Sequence, residues 1–349
     1  MNPLPLPLNV IDHFYRGGER IAELRRIPEP AAPLTGPEEW LGSTVSRWGS
    51  DRVGLTDLAP FGLLRDLVAD DPDGWLGRDH VARWGSSPAL LVKLLDAGQR
   101  LPVHAHPTRA FATRHLGCPF GKSEAWIVID APAAGGTVFL GATRPVPTEE
   151  WAGLVAAQDA DTMLGLLNPL TVHPGDGVFV PAGAPHAIDE GLFVVEVQEP
   201  TDFSVLLEWR GFDIDGATDG HLGLGFDVAL GAIRRDALDA ATVDRLVRRA
   251  ADRDARPALP DAAEPYFRAW SVTPGELPVT VPASFSVVIV VDGAGTVAWS
   301  GGYRTIDRGD AFVAPHGAGE LTFDGRVTAV VAQPPDPDTP DPVEWDAAS

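Results

Sequence analysis

The feature that most narrows the fold of this chain is an internal repeat. Gly175-Asp176-Gly177-Val178-Phe179-Val180-Pro181-Ala182-Gly183 matches Gly309-Asp310-Ala311-Phe312-Val313-Ala314-Pro315-His316-Gly317 without a gap. Upstream, residues 124–130 align with residues 286–292, so the strand-like segment before each Gly-Asp turn is paired as well. Short Val-rich runs punctuated by Gly and Pro are strand signals, and a strand-turn-strand unit present twice predicts two similar β-domains. Other short apolar runs, at 126–129, 178–180 and 193–197, read as strands of a sandwich or barrel.

Helical spacing is confined mainly to the first half. Apolar residues recur at helical intervals between residues 55 and 95, as in Phe61, Leu63, Leu64, Leu67 and Val68, with Asp57 as an N-cap candidate. A second helix is expected over 148–167 and a third over about 236–254. With 349 residues, 44% of them hydrophobic, the chain can bury a sizeable core. The expected division is a first domain over 1–220 with helical insertions, a degenerate second domain over 221–335 with a leading helix, and a flexible Pro/Asp-rich tail over 336–349. An Ala/Pro/Asp-rich connector is expected at 253–264, and the alternating Pro and Leu of residues 3–8 suggest an extended surface arm.

Charge removes several functions. A formal net charge of −22 repels phosphate backbones and anionic membranes, so neither nucleic acid nor membrane is expected as a partner. The N-terminus lacks the basic region and unbroken apolar stretch of a leader or anchor, and the single Cys118 excludes an internal disulfide framework; cytoplasm is the expected location. Oligomeric state is not legible.

Chemistry is concentrated in the first copy of the repeat. His104-Ala105-His106-Pro107 places two imidazoles two residues apart, on one face if the backbone is extended. Glu124 follows, and the segment Pro181-Ala182-Gly183-Ala184-Pro185-His186 aims a third imidazole from elsewhere. Three imidazoles and a carboxylate suit Zn²⁺, and also Fe²⁺, Mn²⁺, Co²⁺ or Ni²⁺. In the second copy Ser286 stands at the position of Glu124 and Glu320 at that of His186, so one metal site is expected.

The His-x-His, Glu and Pro-x-Gly-x-x-His pattern resembles the cupin superfamily. A longer resemblance, over residues 12 to 215, is to type I mannose-6-phosphate isomerases. It is carried by Glu38-Glu39-Trp40-Leu41-Gly42-Ser43, by Pro88 to Ala97 with Lys93, by His106-Pro107, and by Gly121-Lys122-Ser123-Glu124-Ala125-Trp126. The resemblance implies a mainly β fold of two cupin-type β-barrels, or jelly rolls, with helical insertions in the N-terminal half. It implies a zinc-dependent aldose-ketose isomerase acting on a small sugar or sugar phosphate, with metal ligands at His104, His106, Glu124 and His186. The family has Gln where His104 stands.

Lys122, two residues from Glu124, is the catalytic candidate. Lys93 resembles an active-site lysine of the family and is a substrate-binding candidate, as is Arg210. Three positions depart from the family: Pro102 replaces a Ser that helps hold phosphate, Val205 or Leu206 stands where an active-site Arg is expected, and Arg16 precedes Gly17-Gly18 in place of a Trp. Arg16 and Arg210 could restore positive charge; otherwise the substrate is an unphosphorylated sugar. Two other readings keep the ligand set: a cupin oxygenase using a redox metal, and a non-catalytic sugar-binding or regulatory cupin. Trp40 and Trp126 read as core; His13, His80, His115, His173, His221 and His316 read as structural or surface residues.

Overall fold

In the computed structural model, residues 1–27, 36–250 and 257–343 are described. They form three antiparallel sheets. The first has seven strands, in the order Val247–Arg248, Gly177–Val180, Glu124–Asp130, Phe193–Gln198, Leu91–Asp96, Glu38–Leu41 and Val10–Ile11. The second has five: Val205–Leu206, His104–Ala105, His186–Ile188, Gly136–Ala142 and Leu167–Val172. The third, also of seven strands, is built on Ser286–Trp299, Leu321–Gln333 and Ala311–Ala314. The fold is mainly β, as expected, but the hydrogen-bonded sheets do not close into barrels. The strands form packed sheets with open edges.

The first sheet lies between the other two. Its strand Leu91–Asp96 is buried at every position, and Val92, Leu94 and Leu95 share one core with Val138, Leu140 and Ile188 of the five-stranded sheet and with Val287 and Val330 of the third. A strand covered on both faces reads as a continuous apolar run rather than an alternating one, which explains Leu90-Leu91-Val92-Lys93-Leu94-Leu95. Charged residues within such runs are therefore the ones that require explanation.

The repeat is preserved in register. Glu124 pairs with Val180 in the first copy and Ser286 pairs with Ala314 in the second. Ala125 pairs with Val197, and its counterpart Val287 with Ala332. At the position of the Glu124 carboxylate, the Ser286 hydroxyl instead accepts a hydrogen bond from Gln333 (3.0 Å) and donates to the Ser284 carbonyl (3.1 Å). Glu320, opposite His186 in the alignment, is exposed.

Several expected boundaries move. The 55–95 segment holds three short helices, Leu64–Asp70, Pro72–Leu76 and Arg78–Trp84, and then becomes the central strand Leu91–Asp96, whose Val and Leu residues satisfy either period. The 148–167 helix breaks at Gln158, which has φ +53°, and Asp159 caps a second helix through Thr162 N–H. Of the helix expected at 236–254, Ala240–Arg245 is helical; Val247–Arg248 then joins the first sheet beside Gly177–Val180, so that sheet draws on chain beyond residue 220. Residues 251–254 of that expectation, 253–256 of the connector and 344–349 of the tail lie outside the described residues.

Both ends of the described chain are tied to the body. Leu4 and Pro5 pair with Val313 and Phe312 as an edge strand, a place where proline is tolerated because no ladder donor is needed from it. Arg25 secures this arm by donating to the Leu6 carbonyl (3.1 Å), the Gly309 carbonyl (2.5 Å) and Glu39 (3.0 Å). The start of the tail is held as well: Arg83 donates to Asp341 (2.6 Å) and Arg268 to Asp336 (3.1 Å). No helix among the described residues is long and apolar enough to cross a membrane.

Candidate metal centre and cavity

Strand pairing gathers the three imidazoles. His186 lies directly across from His104 in the five-stranded sheet, and His106 follows one residue beyond the end of the same strand. The ring centroids of His104 and His186 are 4.1 Å apart, and those of His104 and His106 5.0 Å. One ligand atom from each ring falls within 4.8 Å of the others. Glu124 comes from the opposing seven-stranded sheet and completes the group, with Oε2 2.9 Å from His106 Nε2 and Oε1 3.2 Å from His186 Nε2.

Each ring is oriented by a backbone carbonyl. His104 Nδ1 lies 2.8 Å from Pro102 O, His106 Nδ1 2.8 Å from Phe203 O and His186 Nδ1 2.8 Å from Ala184 O. A carbonyl only accepts, so Nδ1 carries the proton in each neutral ring and Nε2 presents a lone pair. His106 Nε2, His186 Nε2 and Glu124 Oε2 are buried without a hydrogen-bond partner. Burial, the neighbouring imidazoles and Lys122 drive His104 well below the usual imidazole range; burial and Lys122 take His106 to about 3. Burial raises Glu124, but Lys122 and His106 overcome it and hold the carboxylate well below its ordinary range. Neutral imidazole lone pairs facing an ionised carboxylate make a donor set that fits a divalent metal ion.

The centre opens into a cavity of about 850 Å³. Its wall is one face of the seven-stranded sheet. Trp40, Lys93, Glu196 and Trp126 stand opposite one another on four neighbouring strands, so their side chains share a face. Lys93 is 2% exposed and lies 3.3 Å from Glu38, 3.5 Å from Glu196 and 3.9 Å from Asp202. Burial would lower its pKa, but these carboxylates prevail and keep it protonated. Lys122 lies 3.1 Å from Glu124 and 3.9 Å from Glu196. Glu196 is raised to about 7 by burial and by the nearby Glu124, and its Oε1 accepts no hydrogen bond.

The candidates separate accordingly. His104, His106, Glu124, His186, Lys93 and Lys122 come together at the cavity floor and wall. Arg210 does not: it is exposed and donates to the Ala157 carbonyl at 2.9 Å. Arg16 is exposed and does not line the cavity either. Arg47 does line it, with Nη1 3.0 Å from the Asp12 carbonyl. Trp40 and Trp126 are buried as expected, yet Trp126 also lines the cavity, 5.7 Å from the His186 ring. His13, expected to be a structural or surface residue, faces the cavity 3.8 Å from Glu38, and burial lowers its pKa. Tyr15 donates to the same carboxylate at 2.5 Å.

Sequence reasoning missed Glu196, Glu38 and His13. For the two glutamates a signal existed, since each lies beside a run of buried apolar strand residues where a charge needs a partner. His13 and Arg47 come from irregular chain with no periodic signal.

Fold and site together define a mainly β protein with a buried three-histidine centre suited to a metal. No family model matches the chain. It is 26% identical over 269 residues to the mannose-6-phosphate isomerase of Streptococcus mutans, covering 73% of this chain and 78% of that one. It is also 26% identical over 248 residues to mannose-6-phosphate isomerase ManA of Bacillus subtilis, covering 70% and 74%. Among solved structures, the mannose 6-phosphate isomerase of Bacillus subtilis superposes with a TM-score of 0.73 at 21% identity, covering 95% of this chain and all of that one. The apo form from Salmonella typhimurium gives 0.72 at 14%, covering 96% and 100%. The chain is thus similar to mannose-6-phosphate isomerases over most of its length, in sequence and in fold.

Proposed function

We propose that the chain is a metal-dependent aldose-ketose isomerase, interconverting mannose 6-phosphate and fructose 6-phosphate or a related sugar pair. The observation that carries this reading is the convergence of three Nε2 lone pairs beside the Glu124 carboxylate at the end of a sugar-sized cavity. The relatives' names support isomerisation over the oxygenase and sugar-binding alternatives. His104, His106, Glu124 and His186 would hold the metal, and a nitrogen-rich set with one carboxylate suits zinc in a cupin-type site. Bound there, it would polarise a substrate carbonyl as a Lewis acid.

The chain's own residues supply the rest. Isomerisation moves a proton between neighbouring carbons while negative charge builds on the substrate oxygens. Glu196 is placed to take that proton and return it: it is buried, faces the cavity and titrates near neutrality. Lys122, with Nζ 3.1 Å from Glu124, would donate to the oxygen that gains charge. Lys93 acts one step back, fixing Glu38 and Glu196 in the wall. Trp126, Ile188 and Leu206 line the cavity with apolar surface that limits water. A cytoplasmic setting agrees with a single, unpaired cysteine. The test is a turnover assay of metal-loaded protein against mannose 6-phosphate and matched unphosphorylated aldoses; no turnover of any would refute the reading.

A further inference from the structure

We infer that the cavity selects an unphosphorylated, neutral aldose over its phosphate ester; this rests on the isomerase reading above and specifies its substrate class. Carboxylates outnumber cations along the cavity eight to three. Two of the three cations are already committed, Lys93 to Glu38, Glu196 and Asp202, and Lys122 to Glu124 and Glu196. That leaves Arg47, which donates to the Asp12 carbonyl (3.0 Å), to offset the exposed lining residues Asp12, Asp213, Asp215 and Asp219. Even with a divalent metal ion at the histidines, the lining carries an excess of negative charge, so a phosphate dianion meets an opposing field along its approach. Of the cavity-lining residues beside the histidines, Pro102 and Leu206 offer no side-chain donor to phosphate oxygens, and the Ser204 hydroxyl, 3.5 Å from His106 Nδ1, offers a single uncharged one.

The same residues suit a neutral sugar. A hydroxyl both donates and accepts, so carboxylates bind it without charge conflict. Glu196 Oε1 is buried, lines the cavity and makes no hydrogen bond, which leaves an acceptor for a ligand hydroxyl. His13 Nδ1 is likewise buried without a partner. At the mouth Trp48 stays 46% exposed while its backbone N–H donates to Asp202 at 3.1 Å and its ring meets Phe203 edge-on at 5.2 Å. A fixed indole next to an anchored carboxylate presents an apolar face and an acceptor together, the pairing that a sugar ring with C–H and O–H surfaces requires.

The experiment compares D-mannose and D-mannose 6-phosphate as substrates of the metal-loaded full chain at low and high ionic strength. The expected kcat/KM for mannose is at least equal to that for mannose 6-phosphate, and the mannose 6-phosphate value rises with salt as the acidic field is screened. The triple change Asp213→Asn, Asp215→Asn and Asp219→Asn should shift the ratio of the two kcat/KM values toward the phosphate by severalfold. Trp48→Ala should raise KM for mannose about tenfold with a smaller effect on kcat. A preference for mannose 6-phosphate above about tenfold, or a phosphate kcat/KM that falls with salt, would overturn the inference and leave the isomerase reading standing. Metal-loaded protein that turns over neither sugar would defeat both.

Discussion

His106 Nε2 and Glu124 Oε2 face each other at 2.9 Å with no proton between them, because the His106 proton sits on Nδ1 and is donated to Phe203 O. Two lone pairs held this close in a buried site repel, and a cation between them removes the conflict. Replacing His106 or Glu124 by Ala should therefore abolish stoichiometric metal, measured by elemental analysis after dialysis. Chelation of the unaltered chain should lower its Tm, since a ligand that binds only the folded state stabilises it.

Glu196 should appear in the pH dependence of turnover. With a pKa near 7, its ionised form is lost on acidification, so kcat should fall as pH drops through about 7. Glu196→Gln should lower kcat by about 10² to 10⁴-fold and remove that limb from the profile, while metal content is retained. The effect on stability has the opposite sign. A carboxyl whose folded pKa lies above its unfolded value of 4.5 favours the fold most at low pH, and that contribution fades as pH rises from about 4.5 to about 7.

Lys93→Met tests whether the wall cation is structural, positioning or both. Removal leaves Glu38 and Glu196 buried without their shared counter-charge, a loss of about 3 to 5 kcal/mol when one partner of a buried pair is deleted. Urea denaturation reads the loss. In any fraction that folds, the acidic limb of the pH–rate profile should move upward, because the ammonium no longer favours ionised Glu196.

Arg25 joins three distant parts of the chain, and its partner Glu39 is fully buried. Arg25→Met should destabilise the protein by about 3 kcal/mol or more through the stranded carboxylate. Limited proteolysis should then cut within the first residues, whose strand pairing with Val313 and Phe312 this guanidinium secures.

The clustering of the candidate metal ligands was legible because His104, Glu124 and His186 lie on strands, His106 follows two residues after His104 with its ring 5.0 Å away, and the Gly-Asp repeat marks the partner strand. The nearness of Lys122 to Glu124 was legible from their spacing of two residues, although the strand begins only at Glu124. The fold class followed from the repeat, and the retained register of Glu124 with Val180 and Ser286 with Ala314 shows why the alignment has no gap there. What was not legible depended on longer-range packing. Leu91–Asp96 satisfies a helical or a strand period and is decided by the sheets on either side of it. Arg210 and Arg47 are both arginines in irregular segments, and local sequence does not tell which of them turns inward.

The sheet carrying Glu124, Lys93 and Glu196 has two working sides. One holds the charged groups of the cavity, and the other is stapled to the C-terminal sheet through Val287, Val313 and Val330. The second copy of the repeat, with Ser286 where a ligand would stand, thus serves as the backing plate of the first. Trimming the chain to the half that carries the histidine cluster would bare an apolar sheet face rather than yield a smaller enzyme, and such a fragment would be expected to aggregate.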